Sequence, residues 1–237
     1  MKFVSFFKDI IEILTTPEYL GYIFQGFGNT LILTVVAAVI GLILGFVVAI
    51  IKISAENHKF MKIPAIICNI YTTVIRGTPV ALQLFVMIYS ILAIPGFKPY
   101  AAIITFGINS GAYVSESIRA GISSVDHGQM EAGRALGLNW NTTMIKIIMP
   151  QAIKNIIPAI GNEMIALLKE TAIISIVGAT VGSLTFDLNA ATDTIFKSIP
   201  NYLAIGIVAG CCYLAIVYLL TFVIKIIEKR LRASDKR

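Results

Sequence analysis

Charge, cysteine and histidine are all scarce in this sequence. Charged residues make up 14% of its 237 residues, whereas soluble domains carry about 25%. This shortage excludes an ordinary soluble domain. The three cysteines lie in apolar runs and form no Cys-x-x-Cys pair, so we expect small buried side chains and no disulfide framework. They are Cys68, Cys211 and Cys212. With only two histidines, a metal site is not expected.

The sequence also lacks the glycine-rich loop that cradles nucleotide phosphates. It contains no Gly-x-x-x-x-Gly-Lys motif and not even one Gly-Lys pair, so such a loop cannot be built from this chain. It offers no evident pairing of a nucleophile with a base either. We therefore expect no cofactor, no ATP binding and no covalent chemistry here. Any energy for work must come from another chain or from an ion gradient.

Long apolar runs, by contrast, dominate the chain. Hydrophobic residues make up 57% of it, the mean hydropathy is +0.85, and residues 31–51 carry no charge. Because a membrane-spanning helix needs about 20 mostly apolar residues, this pattern predicts an all-α integral membrane protein. We predict five spans, at about 27–51, 63–94, 99–118, 143–186 and 201–227.

The first 20 residues predict a different kind of helix. Apolar side chains at helical spacing stand opposite charged ones, a pattern typical of a helix that lies in the membrane interface. They are Phe3, Phe6, Phe7, Ile10, Ile11 and Leu14, against Lys8, Asp9 and Glu12. We interpret residues 1–20 as an interfacial amphipathic helix, and residues 1–237 as one transmembrane domain.

Lysine and arginine are distributed unevenly between the predicted loops. Near the span ends, 13 of them fall in the segments 52–62, 119–154 and 225–237, whereas four fall in the remaining loops. Because cytoplasmic loops carry the excess of these residues, we predict a cytoplasmic C-terminus and an N-terminus outside. The net charge of +6 then reflects topology and contact with anionic lipid, and nucleic acid is not an expected partner.

Small residues recur at four-residue spacing within two of the predicted spans. They are Ala37, Gly41, Gly45 and Ala49 in the first, and Gly107, Gly111 and Ser115 in the third. Small side chains at this spacing let helix backbones approach closely, so the pattern favours a packed bundle or a dimer.

A short polar helix is predicted at residues 126–138, on the cytoplasmic side. Asp126 can cap its start, and Gly137 can close it in a left-handed conformation. Such a helix is about 15 Å long, too short to span a membrane. Met130, Gly133, Leu136 and Gly137 are expected to share one face, with Glu131 and Arg134 beside it. The helix either lies on the bilayer or docks into a cytoplasmic partner.

The segment 131–150, EAGRALGLNWNTTMIKIIMP, closely resembles the cytoplasmic-loop signature of ABC-importer permeases. Glu131-Ala132-Gly133, Gly137 and Ile147-x-Met149-Pro150 stand at the spacing of that signature, with Gly133 in place of alanine and Met149 in place of leucine. Four segments are similar to the polar amino-acid permeases that take up histidine, glutamine and arginine. They are GNTLILT at 28–34, VIRGTPVALQLF at 74–85, AYVSESIRAGISSVDHGQMEAGRALGL at 112–138 and NEMIALLKETAI at 162–173.

This resemblance implies a type I ABC importer permease fold and a set of partners. The short helix would be a coupling helix that sits in a cleft of a cytoplasmic ATP-binding subunit, where ATP and Mg are bound. The residues implied in coupling are Glu131, Ala132, Gly133, Leu136 and Gly137. The resemblance also implies a solute-binding protein outside and a second permease copy, in a homodimer or a heterodimer. An amino-acid substrate and membrane lipid complete the set of partners, in a bacterial-type inner membrane.

Ionisable residues inside a span are costly, by about 2.5–3.5 kcal/mol each on insertion scales, and are therefore functional candidates. Glu163 and Glu170 lie seven residues apart and share a helical face, next to a stripe that holds Asn162 and Lys169. One interpretation is a substrate pathway, in which a carboxylate holds the ammonium of an amino acid. The other is internal neutralisation, with Lys169 or Arg76 paired to Glu170.

The segment Arg76-Gly77-Thr78-Pro79 is expected to break the second span, because glycine and proline interrupt the backbone hydrogen bonds. A broken helix beside a transport site is one interpretation, which adds Arg76 and Thr78 to the candidate pathway. A structural kink, with Arg76 satisfying free carbonyls, is the other. Glu116 and Arg119 are expected to form a local ion pair.

Together with these features, the resemblance implies the membrane-spanning permease subunit of an ATP-driven importer of polar amino acids, which works by alternating access. The alternative is a secondary carrier driven by an ion gradient, which would explain the charged residues in the membrane but not the docking helix. A membrane enzyme ranks far lower, since the sequence has no metal cluster and no evident catalytic pair.

Overall fold

The computed structural model describes the backbone of residues 2–233 and the side chains of residues 5–231. This part of the chain is helical and contains no strand, so the predicted all-α class is confirmed. Its helices are α1 (Lys2–Thr15), α2 (Pro17–Ser54), α3 (Lys62–Gly77), α4 (Val80–Val86), α5 (Lys98–Ser123), α6 (His127–Ala135), α7 (Trp140–Thr143), α8 (Met149–Glu170), α9 (Leu188–Phe196) and α10 (Tyr202–Ala233). Short 3-10 or π turns extend several of them, at Lys59–Met61, Met87–Ile91, Met144–Ile148 and Thr171–Val177.

Two helices of the described part, α2 and α10, are long and apolar enough to cross a membrane unaided. The bent pair formed by α3 and α4 passes the same test when it is taken as one span. The other two predicted spans coincide with α5 and α8, which are about 39 and 33 Å long. Both are more polar, and α5 buries Thr105, Asn109 and Ser115. Because α5 is largely buried by the rest of the protein, it needs no continuous apolar surface, which explains the difference for this helix.

Two predicted boundaries are wrong. The fourth span was expected to reach residue 186, but its helical conformation ends at Val177. Gly178 and Gly182 follow with φ of +88° each, a left-handed backbone that glycine adopts readily and that ends a helix. The predicted interfacial helix divides at Thr16, because Pro17 begins α2. Residue 1 of that prediction lies outside the described residues.

Residue contacts divide the chain into two compact units, each built from separate segments. The first consists of Met1–Val39, Thr78–Gly107 and Ala166–Leu219. In it, Ile13 of α1 is buried with Ile195 and Ile205, in a cluster that α9 and the start of α10 complete. Phe7, Ile11 and Leu14 remain exposed on α1, as expected of an interfacial helix. Cys211 is exposed on α10, contrary to the expectation for the cysteines.

Asn29 and Thr30 hold the loop that precedes α9 in the first unit. The Asn29 side-chain amide donates to the Ser183 and Phe186 carbonyls at 2.9 and 2.8 Å. The Thr30 hydroxyl accepts from the backbone N–H of Leu188 at 3.1 Å. The polar residues of the GNTLILT segment therefore position a loop of their own unit.

The second unit consists of Ile40–Gly77, Ile108–Ile165 and Leu220–Arg237. Its core joins α2, α5 and α8 through residues such as Ala49, Val114 and Ile156. A Cβ at Gly41 would lie 2.6 Å from Ser110, and one at Gly45 would lie 2.6 Å from Val114. The close helix approach that the small-residue spacing predicts is thus confirmed for α2 and α5.

Candidate transport and coupling sites

A polar cavity of about 830 Å³ lies within the second unit. One side of α3 lines it at helical spacing and supplies Arg76, while the ends of α2 and α5 and the residues after α2 supply the other charges. The lining residues are Lys52, Ala55, Glu56, Ala65, Asn69, Thr72, Thr73, Arg76, Gly77, Tyr113, Glu116 and Arg119. Its volume falls within the range of about 300–1,000 Å³ that is usual for small-molecule sites.

Glu116 is the centre of the charges in this cavity. Its Oε1 accepts from Lys52 Nζ at 2.7 Å, and its Oε2 accepts from Arg119 Nε at 2.9 Å. Arg76 Nη1 lies farther away, 4.0 Å from Oε2. The predicted local ion pair of Glu116 and Arg119 is confirmed. Together with Glu56, which is exposed, the lining holds three cations and two carboxylates, an excess of one positive charge.

Sequence reasoning missed the role of Lys52, which it treated as a loop cation. Its side chain is only 9% exposed, and Nζ also donates to the Thr72 hydroxyl at 2.8 Å. A buried ammonium needs such partners, because desolvation of an unpaired charge is costly. The available signal was position, since Lys52 follows the uncharged run 31–51 within the same helix.

Arg76 and Thr78 stand on either side of a real break in the helix. α3 ends at Gly77, and the extended residue Pro79 precedes α4. The Gln83 side-chain amide donates to the Thr78 carbonyl and hydroxyl, at 3.1 and 2.9 Å. A local side chain therefore satisfies this freed carbonyl, while the guanidinium of Arg76 lies over the Tyr113 ring at 5.3 Å in the cavity.

The remaining pathway candidates lie on α8, and none of them lines the polar cavity. In the second unit, Asn162 is exposed and Glu163 is half-buried. In the first unit, Lys169 is exposed and Glu170 is half-buried at the end of α8. The structure thus assigns Arg76 to a defined cavity and leaves the α8 residues as a separate set.

The predicted short helix exists as α6, and both of its ends are capped. At its start, Asp126 Oδ1 accepts from the backbone N–H of Gly128 at 2.7 Å. At its end, Gly137 adopts a φ of +82°. The N–H groups of Gly137 and Leu138 donate to the carbonyls of Arg134 and Gly133, at 3.0 and 3.1 Å, which is the Schellman arrangement. Residues of the segment itself therefore define both the start and the end of this helix.

The surface of α6 differs from the predicted single face. Gly133 is buried, and a Cβ there would lie 2.5 Å from the Thr143 side chain. Met130 packs on the core of the second unit. Leu136, in contrast, is 80% exposed, and Glu131, Ala132 and Gly137 are also exposed. The inner side of α6 therefore packs on its own unit, and its outer side presents an apolar side chain next to a carboxylate.

Long apolar helices, one broken helix and a polar cavity are features of a membrane permease. Residues 41–233 match the family described as binding-protein-dependent transport system inner membrane component. The chain is 40% identical over 229 residues to the arginine transport system permease protein ArtQ of Bacillus subtilis (strain 168), a match that covers 95% of this chain and 99% of that protein. The chain belongs to the family of binding-protein-dependent transport system inner membrane components.

Two further matches agree with this membership. The putative glutamine transport system permease protein GlnP of Rickettsia bellii (strain RML369-C) is 40% identical over 222 residues, covering 92% of this chain and 96% of that one. A solved structure described as "Crystal structure of an amino acid ABC transporter with histidines" has a TM-score of 0.80 at 36% identity, and covers 92% of this chain and 98% of its own. The predicted importer-permease fold and the transport role are confirmed, and an ion-gradient carrier has no support.

Proposed function

We propose that this chain is the permease subunit of an ATP-driven importer of polar amino acids in a bacterial-type inner membrane. The observation that carries the proposal is the 40% identity, over 95% of the chain, to a permease protein named for arginine transport. The match to a protein named for glutamine transport supports the same substrate class. Substrate would cross by alternating access, and the chain itself would form the pathway.

The partners follow from the family and from the surface of α6. An ATP-binding subunit, which holds ATP and Mg, would dock on the cytoplasmic side against Glu131, Ala132, Leu136 and Gly137, with Gly133 anchoring α6 from behind. The exposure of Leu136 supports this contact. A solute-binding protein would deliver substrate outside, in keeping with the family description. A second permease copy, identical or related, would complete the transporter.

For the pathway we propose the residues that the sequence singled out. Glu163 and Asn162 would contact the amino acid on α8, with Lys169 and Glu170 farther along the same helix. Arg76 and Thr78 would contribute from the broken helix. The half-burial of Glu163 supports its role, because a carboxylate partly removed from water favours a cationic partner such as an ammonium.

The test is reconstitution into proteoliposomes with the ATP-binding subunit, the solute-binding protein and any sister permease encoded beside it. We expect uptake of radiolabelled L-arginine or L-glutamine that requires ATP and stops when the ATP-binding subunit is omitted. Liposomes with a catalytically inactive ATP-binding subunit are the matched control. Uptake that persists without the ATP-binding subunit under an imposed ion gradient would contradict the proposal.

A further inference from the structure

Both oxygens of the Glu116 carboxylate are already occupied. Lys52 lies 2.7 Å from one oxygen, and Arg119 lies 2.9 Å from the other. Arg76 remains at 4.0 Å, beyond hydrogen-bond distance, with 44% of its side chain exposed. Within the described part of the chain, this guanidinium is therefore the cavity cation that has no carboxylate at hydrogen-bond distance.

The surroundings of Arg76 also favour an anion. Its guanidinium lies 5.3 Å from the centre of the Tyr113 ring, a contact that orients the plane but leaves its N–H groups available. The exposed Thr73, on the same helix, lines the cavity and brings a hydroxyl donor. Lys52 and Arg119 are held by Glu116, so they raise the local potential without competing for the same position. A guanidinium with free donors matches a carboxylate in a bidentate pair.

We propose that Arg76 binds the α-carboxylate of the transported amino acid inside this cavity, while Glu116 keeps Lys52 and Arg119 in place around it. The inference rests on the proposed function, and deepens it by naming the substrate group and the residue that recognises it. A cavity of about 830 Å³ leaves room for a side chain beyond the carboxylate, so the contact selects the amino-acid backbone and tolerates different side chains.

The experiment measures direct binding to the permease complex with its ATP-binding subunit, in nanodiscs of neutral lipid and without the solute-binding protein. The probes are L-arginine and L-glutamine, each compared with its α-amide, which lacks the carboxylate. We expect the wild type to bind the acid at least about tenfold more tightly than the amide, the range of a charge-assisted hydrogen bond. In Arg76→Gln this ratio falls to about one, because affinity for the acid is lost and affinity for the amide is not.

Two further variants keep the test decisive if Arg76→Gln assembles poorly. Arg76→Lys retains the charge without the planar fork, so we expect an intermediate ratio. Lys98→Gln removes one positive charge from the first unit, outside this cavity, and is expected to keep the wild-type ratio. Inorganic phosphate distinguishes a general anion site from a carboxylate site, since it should compete weakly with the amino acid.

The outcomes separate this inference from the proposed function. A ratio near one in the wild type, an unchanged ratio in Arg76→Gln, equal competition by phosphate, or no binding of either probe overturns the carboxylate site. If the wild type still shows ATP-dependent uptake in proteoliposomes, the proposed function survives that result. Loss of ATP dependence in the wild type overturns the function itself.

Discussion

Single residues on α8 differ in burial although all lie in one predicted span. Glu163 is half-buried, whereas Lys169 is exposed and its long side chain can reach water or lipid headgroups. Removing an exposed ammonium changes little inside the protein. Changing a partly buried carboxylate alters the charge that a passing ammonium group meets, so the two substitutions should differ in effect.

We therefore expect Glu163→Gln to impair ATP-driven uptake about tenfold, the scale of one charge-assisted hydrogen bond, and Lys169→Met to impair it less. Initial uptake rates in proteoliposomes, at matched protein levels, provide the measurement. Glu163→Asp keeps the charge and serves as the control for packing. A larger loss in Lys169→Met than in Glu163→Gln would refute the assignment of the pathway to Glu163.

Asp187 is a buried carboxylate that sequence reasoning did not single out. It is fully buried in the connection that precedes α9, outside the membrane-spanning helices. Its Oδ1 accepts from the backbone N–H of Ala190 at 2.8 Å, while its Oδ2 has no hydrogen-bond partner within the described part of the chain. Burial raises the pKa of Asp187 to about 7, because a low-dielectric environment disfavours the ionised form.

This raised pKa predicts a stability that depends on pH. The folded state holds the proton of Asp187 more tightly than the unfolded state, whose pKa is about 3.9. The contribution of this proton to the free energy of unfolding is fully present below about pH 4, and it is lost as pH rises through about 7. We expect Asp187→Asn, which keeps an acceptor for Ala190, to match the wild type below about pH 4, where the carboxyl is largely protonated in both the folded and the unfolded state. At pH 8 it should melt higher, by roughly 2–4 °C for each kcal/mol relieved. Thermal unfolding in detergent measures the melting temperatures of the wild type and of Asp187→Asn at each pH. If the two melting temperatures change with pH in parallel, the raised pKa of Asp187 is contradicted.

At the scale of whole helices, the sequence predicted best where one local signal decides the structure. Uninterrupted apolar runs predicted α2 and α10. The helix α6 was predicted from the capping residues at its two ends. The sequence does not predict α9, because this short helix lies in the connection between the fourth and fifth predicted spans. The site follows the same rule: the break next to Arg76 is local, whereas the pairing of Lys52 with Glu116 joins residues 64 positions apart.

The helix α6 carries a prediction about coupling. A Cβ at Gly137 meets nothing within 4 Å, so Gly137→Asp should insert normally. The new carboxylate adds negative charge at the C-terminus of α6. The added Cβ also strains the backbone, because φ at this position is +82°. We expect Gly137→Asp and Glu131→Lys to lose at least about tenfold in ATP-driven uptake, as hot-spot losses at an interface do. The measurement is uptake together with co-purification of the ATP-binding subunit.

A matched control for Gly137→Asp exists elsewhere in the chain. Gly96 has a φ of +76°, and a Cβ there also meets nothing within 4 Å, but it lies in a loop of the first unit. Gly96→Asp therefore imposes the same strain and the same charge away from α6. It should still co-purify with the ATP-binding subunit. If Gly137→Asp and Glu131→Lys are present in the membrane at wild-type amounts and still take up substrate normally, α6 does not dock the ATP-binding subunit.

At the scale of the molecule, the distribution of cations predicts the orientation of the chain in the membrane. The burial of Lys52 against Glu116 removes one of the cations that the sequence counted at the membrane surface, and Lys236 and Arg237 lie outside the described residues. The asymmetry still favours a cytoplasmic 52–62 loop and tail, because only four of these residues fall in the opposite loops.

Cysteine labelling tests this orientation at two exposed positions. Asn57 lies between α2 and α3, and Ala93 lies between α4 and α5. A membrane-impermeant maleimide should label Ala93→Cys in intact cells and Asn57→Cys only in inside-out vesicles, because a single span separates the two loops. The background for both variants replaces the native thiols with alanine, at Cys68, Cys211 and Cys212, and its ATP-driven uptake is the control. Labelling of Asn57→Cys in intact cells would reverse the topology and place α6 outside, where no ATP-binding subunit could reach it.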